Sequence, residues 1–364
     1  MDFDFSDEQL QLREAVARWA DKAYPFERRR EIERDGGFSR QAWGELAELG
    51  LTGLAIPEGQ GGLGLGPVEA MVVMEELGRG LVLEPLGQAL ICGRLLSQLA
   101  PASPWLAKLA SGQALLSLAW QERGSRYTAS PCQTVAQGGV LSGAKSLVPA
   151  GAQADAFIVS ARLGDRMALY LVEAGAPGLV RQGYGTQEGA CAAELQFQDT
   201  PAQLLAGDGL APLEEALDLG AACACAEAVG VMDRSLQVTT DYMKQRQQFG
   251  VAIASFQALR HRVADMKMQL ELGRSMSYYA WLKLQTPAPE RAQAVARAKV
   301  QLGQAMRFVG QQSVQLHGGI GVTDEYIISH CFKKLTALEL SFGDTFHHLG
   351  QVSERMQETA GVFA

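Results

Sequence analysis

The stretch Ser341-Phe342-Gly343-Asp344-Thr345-Phe346-His347-His348 sets an acid, a hydroxyl and two imidazoles side by side, just after the apolar run "LTALEL". Such a set reads as a metal site, an acid–base cluster or the cap of a helix. Adjacent histidines point about 100° apart on a helix, which disfavours chelation. No Glu-x-x-His or His-x-x-x-His spacing accompanies them. Gly followed by Asp is a common helix junction, because Gly accepts positive φ and Asp caps free N–H groups. A carboxylate is also what a general base requires, so Asp344 stays open as base or cap.

Two further groups carry ligand-binding chemistry. "YMKQRQQFG" places Arg246 three residues from Phe249, which predicts one face of a helix that ends at Gly250. The guanidinium fork suits phosphate and the ring can cover a flat group. A surface arginine beside a capping hydrophobe is the plainer reading. "QLHGGIG" (Gln315 to Gly321) interrupts a helix with Gly318 and Gly319. Without Cβ atoms these let a ligand approach the backbone closely, or they make a simple interhelical turn. Neither group follows a strand, so neither is a Rossmann fingerprint or a P-loop.

These residues have to be positioned by a chain of 364 residues, long enough for two or three domains. The formal net charge is −8 and the basic residues are scattered, which argues against nucleic acid. Six cysteines form no Cys-x-x-Cys pair, and Cys223 and Cys225 fall in an Ala-rich helical run. With no signal-peptide pattern and no apolar run long enough for a bilayer, the expectation is a cytoplasmic protein off the membrane.

Three segments follow in order. Residues 1–114 read as helical. "SDEQLQLREAVARWADKAY" opens on a Ser6-x-x-Gln9 capping box, "RQAWGELAELG" stops at Gly50, and "GPVEAMVVMEELGRG" starts at Pro67. Residues 115–205 read as β. "ALLSLAW", "GGVLSGAKSLVPAG", "ADAFIVSAR", "RMALYLVEAG" and "CAAELQFQD" are short runs bounded by turn residues, as in a barrel or sandwich. Residues 206–364 read as a bundle of four long helices, the last after Asp344. The fold class is therefore α+β: a helical domain, a β-barrel or sandwich, and a four-helix bundle.

Taken together the chain resembles the acyl-CoA dehydrogenase family of flavoproteins over nearly its whole length. "ELAELGLTGLAIPEGQGGLGLGPVEAMVVMEELGR", "KQRQQFG", "SFQALRHRVADM" and "VQLHGGIGVTDEY" carry the resemblance. "AEAVGVMD", "GQQSVQLHGGIG" and "FGDTFHH" are most similar to the small subunit of pimeloyl-CoA dehydrogenases, with relatives among heterotetrameric steroid-degrading members. The resemblance implies that Arg246, Phe249 and Gln257 grip the adenine and pyrophosphate end of an FAD seated largely in another subunit. It implies that Gln315, Gly318 and Gly319 lie along the same dinucleotide and that Thr345 sits near the flavin. The "LAWQERGSR" stretch with Ser125 would line the isoalloxazine and the CoA entrance, and "AKSLVPAGA" would pass behind the ring.

The chain departs from the family where the chemistry lies. Ala119 to Arg126 reads "AWQERGSR" in place of Thr-Glu-Pro-Gly-x-Gly-Ser-Asp, and Leu147 stands where a Trp usually shields the flavin. The usual positions of the catalytic Glu hold Gly343 and the trio Leu219-Gly220-Ala221. Asp344 is displaced by one residue. Glu227, two turns beyond Gly220 amid Ala, Cys and Val, is the rival base. The implied activity is FAD-dependent α,β-dehydrogenation of an acyl-CoA thioester, its acyl group dicarboxylyl or ring-bearing. The implied partners are an electron-transfer flavoprotein and further copies of the chain, or a larger homologous subunit in an α₂β₂ assembly. The alternative is a non-catalytic subunit that completes a partner's flavin site.

Overall fold

A computed structural model of the chain describes residues 5–359. Helices α1 (Asp7–Ala23), α2 (Phe26–Arg34), α3 (Arg40–Glu48), α4 (Pro67–Arg79), α5 (Leu86–Leu99) and α6 (Pro104–Ala110) come first. Strands β1 (Leu116–Ala119), β2 (Val135–Gln137), β3 (Val140–Pro149), β4 (Ala156–Leu163), β5 (Arg166–Glu173), β6 (Leu179–Gly185), β7 (Cys191–Pro201) and β8 (Gln203–Ala206) follow. Then come α7 (Leu210–Gln245), a hairpin of β9 (Gln247–Gln248) and β10 (Val251–Ala252), α8 (Gln257–Lys283), α9 (Ala288–His317), α10 (Ile327–Leu340) and α11 (Thr345–Thr359). By contacts the chain divides into two compact units. One comprises Arg30–Gly66 and Leu83–Gly220; the other comprises Met1–Arg29, Pro67–Val82 and Ala221–Ala364.

The first of these units is built on an eight-stranded sheet in the order β6-β7-β3-β2-β4-β5-β8, with β1 parallel to β4. β1 is buried at every position, and β4 is buried through Ala156–Ala161, because "AFIVSA" is apolar on both faces. All five strand-like runs in the sequence become strands, whereas β2, β6 and β8 were not legible. β6, "LVRQGYG", is an exposed edge strand with two glycines and no apolar alternation. The α5 side chain Gln88 docks on β1, accepting the Leu118 N–H at 2.9 Å. β3 bulges twice against β7, and at the second bulge Leu147 takes φ 53° and stands about half exposed.

The second unit is helical. In α1 the Ser6 capping box forms as its spacing predicts, and α4 begins at Pro67. α4 crosses α7 without side chains between them. A Cβ on Gly78 would fall 2.1 Å from the Glu227 carbonyl oxygen, and one on Gly230 would fall 1.8 Å from that of Glu75. Around this crossing Arg13, Glu75, Arg274, Asp233, Arg79 and Glu76 form a closed ring of alternating charge. The apolar core runs through α7, α8, α9 and α10, and Trp281 donates its indole N–H to the Ala222 carbonyl at 3.0 Å. The four long helices expected are joined by a shorter fifth, α10. Its start lacks a side-chain cap, so the sequence carries no entry signal there.

Candidate active site and cofactor surface

Arg246 and Phe249 do not lie on a helix face, which corrects the sequence reading. α7 stops at Gln245, and the next residues turn back as the two-stranded β9–β10 hairpin. Its turn is Phe249-Gly250, with φ of 54° and 80°. Both central residues at positive φ match a type I′ turn, the connection that fits the right-handed twist of strands. Local turn chemistry therefore overrides the helical periodicity. Phe249 is an unusual occupant of such a position, and its ring is 92% exposed. The Arg246 guanidinium, also exposed, has no acidic partner among the described residues.

The other residues of this set gather at the same end of the bundle. Gln257 opens α8 and Gln315 lies in the last turn of α9, both exposed. Arg262 of α8 donates to Gln312 of α9 at 2.8 Å, tying those two ends together. Tyr242, near the end of α7, stacks on His317 at 4.4 Å and donates to its carbonyl oxygen. Gly318 has φ 63° and ψ −139°, a conformation essentially reserved for glycine, and begins a short 3₁₀ turn. A Cβ at Gly318 or Gly319 would meet nothing within 4 Å. Bare backbone, an exposed guanidinium without an acidic partner among the described residues, and an exposed ring thus gather at one bundle end, a set whose chemistry suits a phosphate-bearing ligand with a flat ring.

The acid–histidine stretch forms the corner between α10 and α11. Asp344 accepts the His347 N–H at 2.8 Å through Oδ1, the bond of a helix N-cap. Thr345 points inward. Its N–H and hydroxyl both donate to Glu339 Oε1, at 3.0 and 2.6 Å, and a Cβ on Gly303 of α9 would collide with its Oγ1. Lys299 of α9, wholly buried, donates to the Leu338, Glu339 and Ser341 carbonyls at the end of α10. Burial lowers its pKa to about 8, opposed by the nearby Cys225, Glu339 and Asp344. His348 is buried and held neutral, its pKa pushed down to about 3 by burial and then by the charge of Lys299. Gly343 has φ 106°, and a Cβ there would lie 2.6 Å from both His347 Cδ2 and His348 Nε2. A side chain at this position would press on both imidazole rings.

Glu227 is also engaged. Lys334 of α10 places Nζ 2.6 Å from its carboxylate, with both side chains mostly buried. The apolar neighbourhood suggested by "CAEAVG" is thus completed by a cation contributed from another helix.

In the sheet unit, the loop 120–134 between β1 and β2 carries Ser125, which closes a local turn by donating to the Glu122 carbonyl at 2.9 Å. The sequence reading missed the centre of this region, a buried Glu122–Lys145 ion pair at 2.7 Å. Glu122 also accepts from Gln133 N, Thr134 N, Thr134 Oγ1 and Cys132 Sγ. Burial would raise its pKa, but Lys145 and these donors outweigh it and hold the carboxylate at about 2. A charged Lys in "GAKSLV" whose flanks are strand-like was the available signal, since an inward lysine needs a partner. Pair and loop border a cavity of about 370 Å³. Among the described residues no group of three His, Cys, Asp or Glu is arranged to hold a metal ion, and no helix is long and apolar enough to cross a membrane.

Fold and surfaces together define a class, and comparison with known proteins supplies it. The family models "Acyl-CoA dehydrogenase, N-terminal domain" and "Acyl-CoA dehydrogenase, C-terminal domain" match residues 6–113 and 207–357. The chain belongs to the acyl-CoA dehydrogenase family, oxidoreductases whose cofactor is FAD. It is 30% identical to the probable acyl-CoA dehydrogenase YngJ of Bacillus subtilis, across 94% of this chain and 96% of that protein. Among solved structures it is similar to a variant of the Tcur3481-Tcur3483 steroid ACAD, with TM-score 0.90 and 30% identity over 98% of this chain and 99% of the other. It is also similar to a chain of the ChsE4-ChsE5 complex from Mycobacterium tuberculosis, with TM-score 0.91 and 27% identity over 99% and 100% of the two chains.

Proposed function

We propose that this chain is one subunit of a hetero-oligomeric acyl-CoA dehydrogenase, akin to the small subunit of pimeloyl-CoA dehydrogenases. It contributes a dinucleotide-gripping surface, and a larger homologous partner contributes the base. One observation carries this reading: each carboxylate available for the chemistry is committed elsewhere, Asp344 to capping α11 and Glu227 to Lys334. A side chain at Gly343 would sit at φ 106° against two histidine rings, which disfavours a carboxylate there. That two of the similar structures are named as pairs of proteins supports it further.

Bound FAD supplies the hydride acceptor for dehydrogenation of the thioester. In this reading Arg246 holds the pyrophosphate by charge-assisted hydrogen bonds, Phe249 covers the adenine, and Gln257, Gln315, Gly318 and Gly319 complete the cradle. Ser125 serves the flavin ring and CoA entrance, and electrons leave to an electron-transfer flavoprotein. The relative named a steroid ACAD favours a ring-bearing acyl group over a dicarboxylyl one. A second reading keeps Asp344 as a weak base, because its cap bond uses Oδ1 alone among the described residues.

The test is purification of the chain alone and with a homologous partner, followed by titration with acyl-CoA thioesters at the flavin absorbance. The complex bleaches and the isolated chain does not. Bleaching by the isolated chain, abolished by Asp344→Asn, would establish the second reading instead. Arg246→Ala should weaken FAD retention about ten- to hundred-fold, as loss of a charge-assisted contact does. Unchanged flavin content after gel filtration would remove Arg246 from the cradle.

A further inference from the structure

The buried Glu122–Lys145 pair has a geometry that stability alone does not require. Glu122 lies near the start of the loop 120–134, yet its carboxylate binds the loop's far end at Cys132, Gln133 and Thr134. Lys145, on β3, reaches the Trp120 carbonyl at 3.3 Å, Cys132 Sγ at 3.2 Å and Ser160 Oγ at 3.0 Å. The Ser146 N–H holds the Gln121 carbonyl at 2.9 Å. Both ends of the loop are thereby fastened to one another and to the sheet by two opposite buried charges. Replacing such a pair by apolar residues is often neutral or stabilising, so a packed core would secure the fold as well. What the pair adds is fixed geometry for the loop's tip. That tip exposes Arg123 and Arg126, with Ser125 half-buried between them, and Arg126 adopts φ 47°, an uncommon conformation for a long side chain. Arg123 leans on Glu194 of β7 at 3.1 Å, while Arg126 has no acidic partner among the described residues.

We propose that Glu122 and Lys145 are positioning residues, a buried clamp that presents Arg123, Ser125 and Arg126 to the phosphates of a nucleotide ligand. This rests on the reading above that the loop faces the flavin and the CoA entrance. FAD and the CoA thioester share the pyrophosphate that two arginines and a hydroxyl would recognise, and the experiment separates them. The clamp touches neither ligand and acts through the loop.

The experiment compares Lys145→Met with Arg126→Ala in the full chain, together with its partner where one co-purifies. FAD retention after gel filtration, the Kd for free coenzyme A, thermal melting and trypsin cleavage after Arg123 and Arg126 are measured. Lys145→Met is expected to weaken FAD or coenzyme A binding about ten-fold, the scale of one charged contact. Cleavage within the loop should quicken while the melting transition keeps its cooperativity. A loss confined to FAD retention assigns the loop to the flavin, and a loss confined to coenzyme A assigns it to the substrate. If Arg126→Ala weakens either ligand while Lys145→Met changes neither affinity nor loop cleavage, the clamp is overturned and the loop's role survives. If neither Arg126→Ala nor Arg123→Ala affects either ligand, the underlying reading of the loop fails. Should Lys145→Met not fold, Glu122→Gln carries the same test, since its amide oxygen still accepts the Thr134 N–H. Unchanged binding in that variant likewise overturns the clamp.

Discussion

Asp344 and Glu122 are two carboxylates with opposite legibility. Asp344 drew notice because it sits beside histidines, yet its visible job is to close the first turn of α11. Asp344→Ala should therefore cost about 1 kcal/mol in denaturant unfolding, and Asp344→Asn close to nothing, because Asn caps nearly as well. A large loss of turnover in the Asn variant with unchanged stability would point back to a base. Glu122 is buried and held ionised, with its pKa at about 2 against an ordinary 4.5. A carboxylate depressed on folding stabilises the native state above its ordinary pKa and withdraws that support as pH falls toward the folded value. Wild-type stability should thus fall between about pH 4.5 and 2 more steeply than that of Lys145→Met, in which the cation that depresses Glu122 is gone. Parallel pH–stability curves from thermal melts would contradict this.

At the level of elements, two corners turn on residues at positive φ, a phenylalanine in one and a glycine in the other. The β9–β10 turn forces Phe249 to φ 54° and leaves the ring in solvent. Asn-Gly is the preferred type I′ pair, so Phe249→Asn should leave stability unchanged or raise it by a few tenths to about 1 kcal/mol. The same change should reduce FAD retention. A variant that is both more stable and fully loaded would show that the ring serves no ligand. The α10–α11 corner behaves differently. Gly343→Glu introduces the carboxylate that the proposed reading finds missing, but places a Cβ against two histidine rings at φ 106°. It should destabilise by about 1–3 kcal/mol and give no flavin bleaching by the isolated chain. Recovery of turnover on thioester substrates would mean that the corner rearranges freely.

On the scale of the molecule, the helical unit has apolar surface left uncovered. On α11, Phe346, Leu349 and Met356 are 71%, 45% and 56% exposed and fall on one face by helical spacing. Val322 and Phe249 add 71% and 92% exposed apolar side chains in the same unit. Exposed apolar groups on this scale mark interaction surfaces. The flavin-bearing protein is expected to sediment as a dimer or larger assembly at micromolar concentration, and Phe346→Ser with Met356→Ser should weaken that assembly. A flavin-loaded monomer in light scattering would exclude a cofactor shared between subunits.

How much of this was written locally depends on the range of the interaction. The capping box at Ser6, Pro67 at the start of α4, Gly50 after α3 and the five apolar runs of the sheet were legible, because each is decided by residues a few positions apart. So were Arg246, Phe249 and the Gly318-Gly319 pair as residues to watch, since arginine, an aromatic ring and paired glycines carry their chemistry in their types. The hairpin that carries Phe249 was misread as helix because its strands are only two residues each, too short for a period to declare itself. The partners of the buried charges were beyond reach. Lys145 finds Glu122 across a strand and a loop, Lys334 finds Glu227 from another helix, and Lys299 finds the carbonyl end of α10. A buried charge must be paired, but the low dielectric that imposes the rule does not say by whom. The sequence determined which groups needed partners, and only the packing of helices and strands decided which they received.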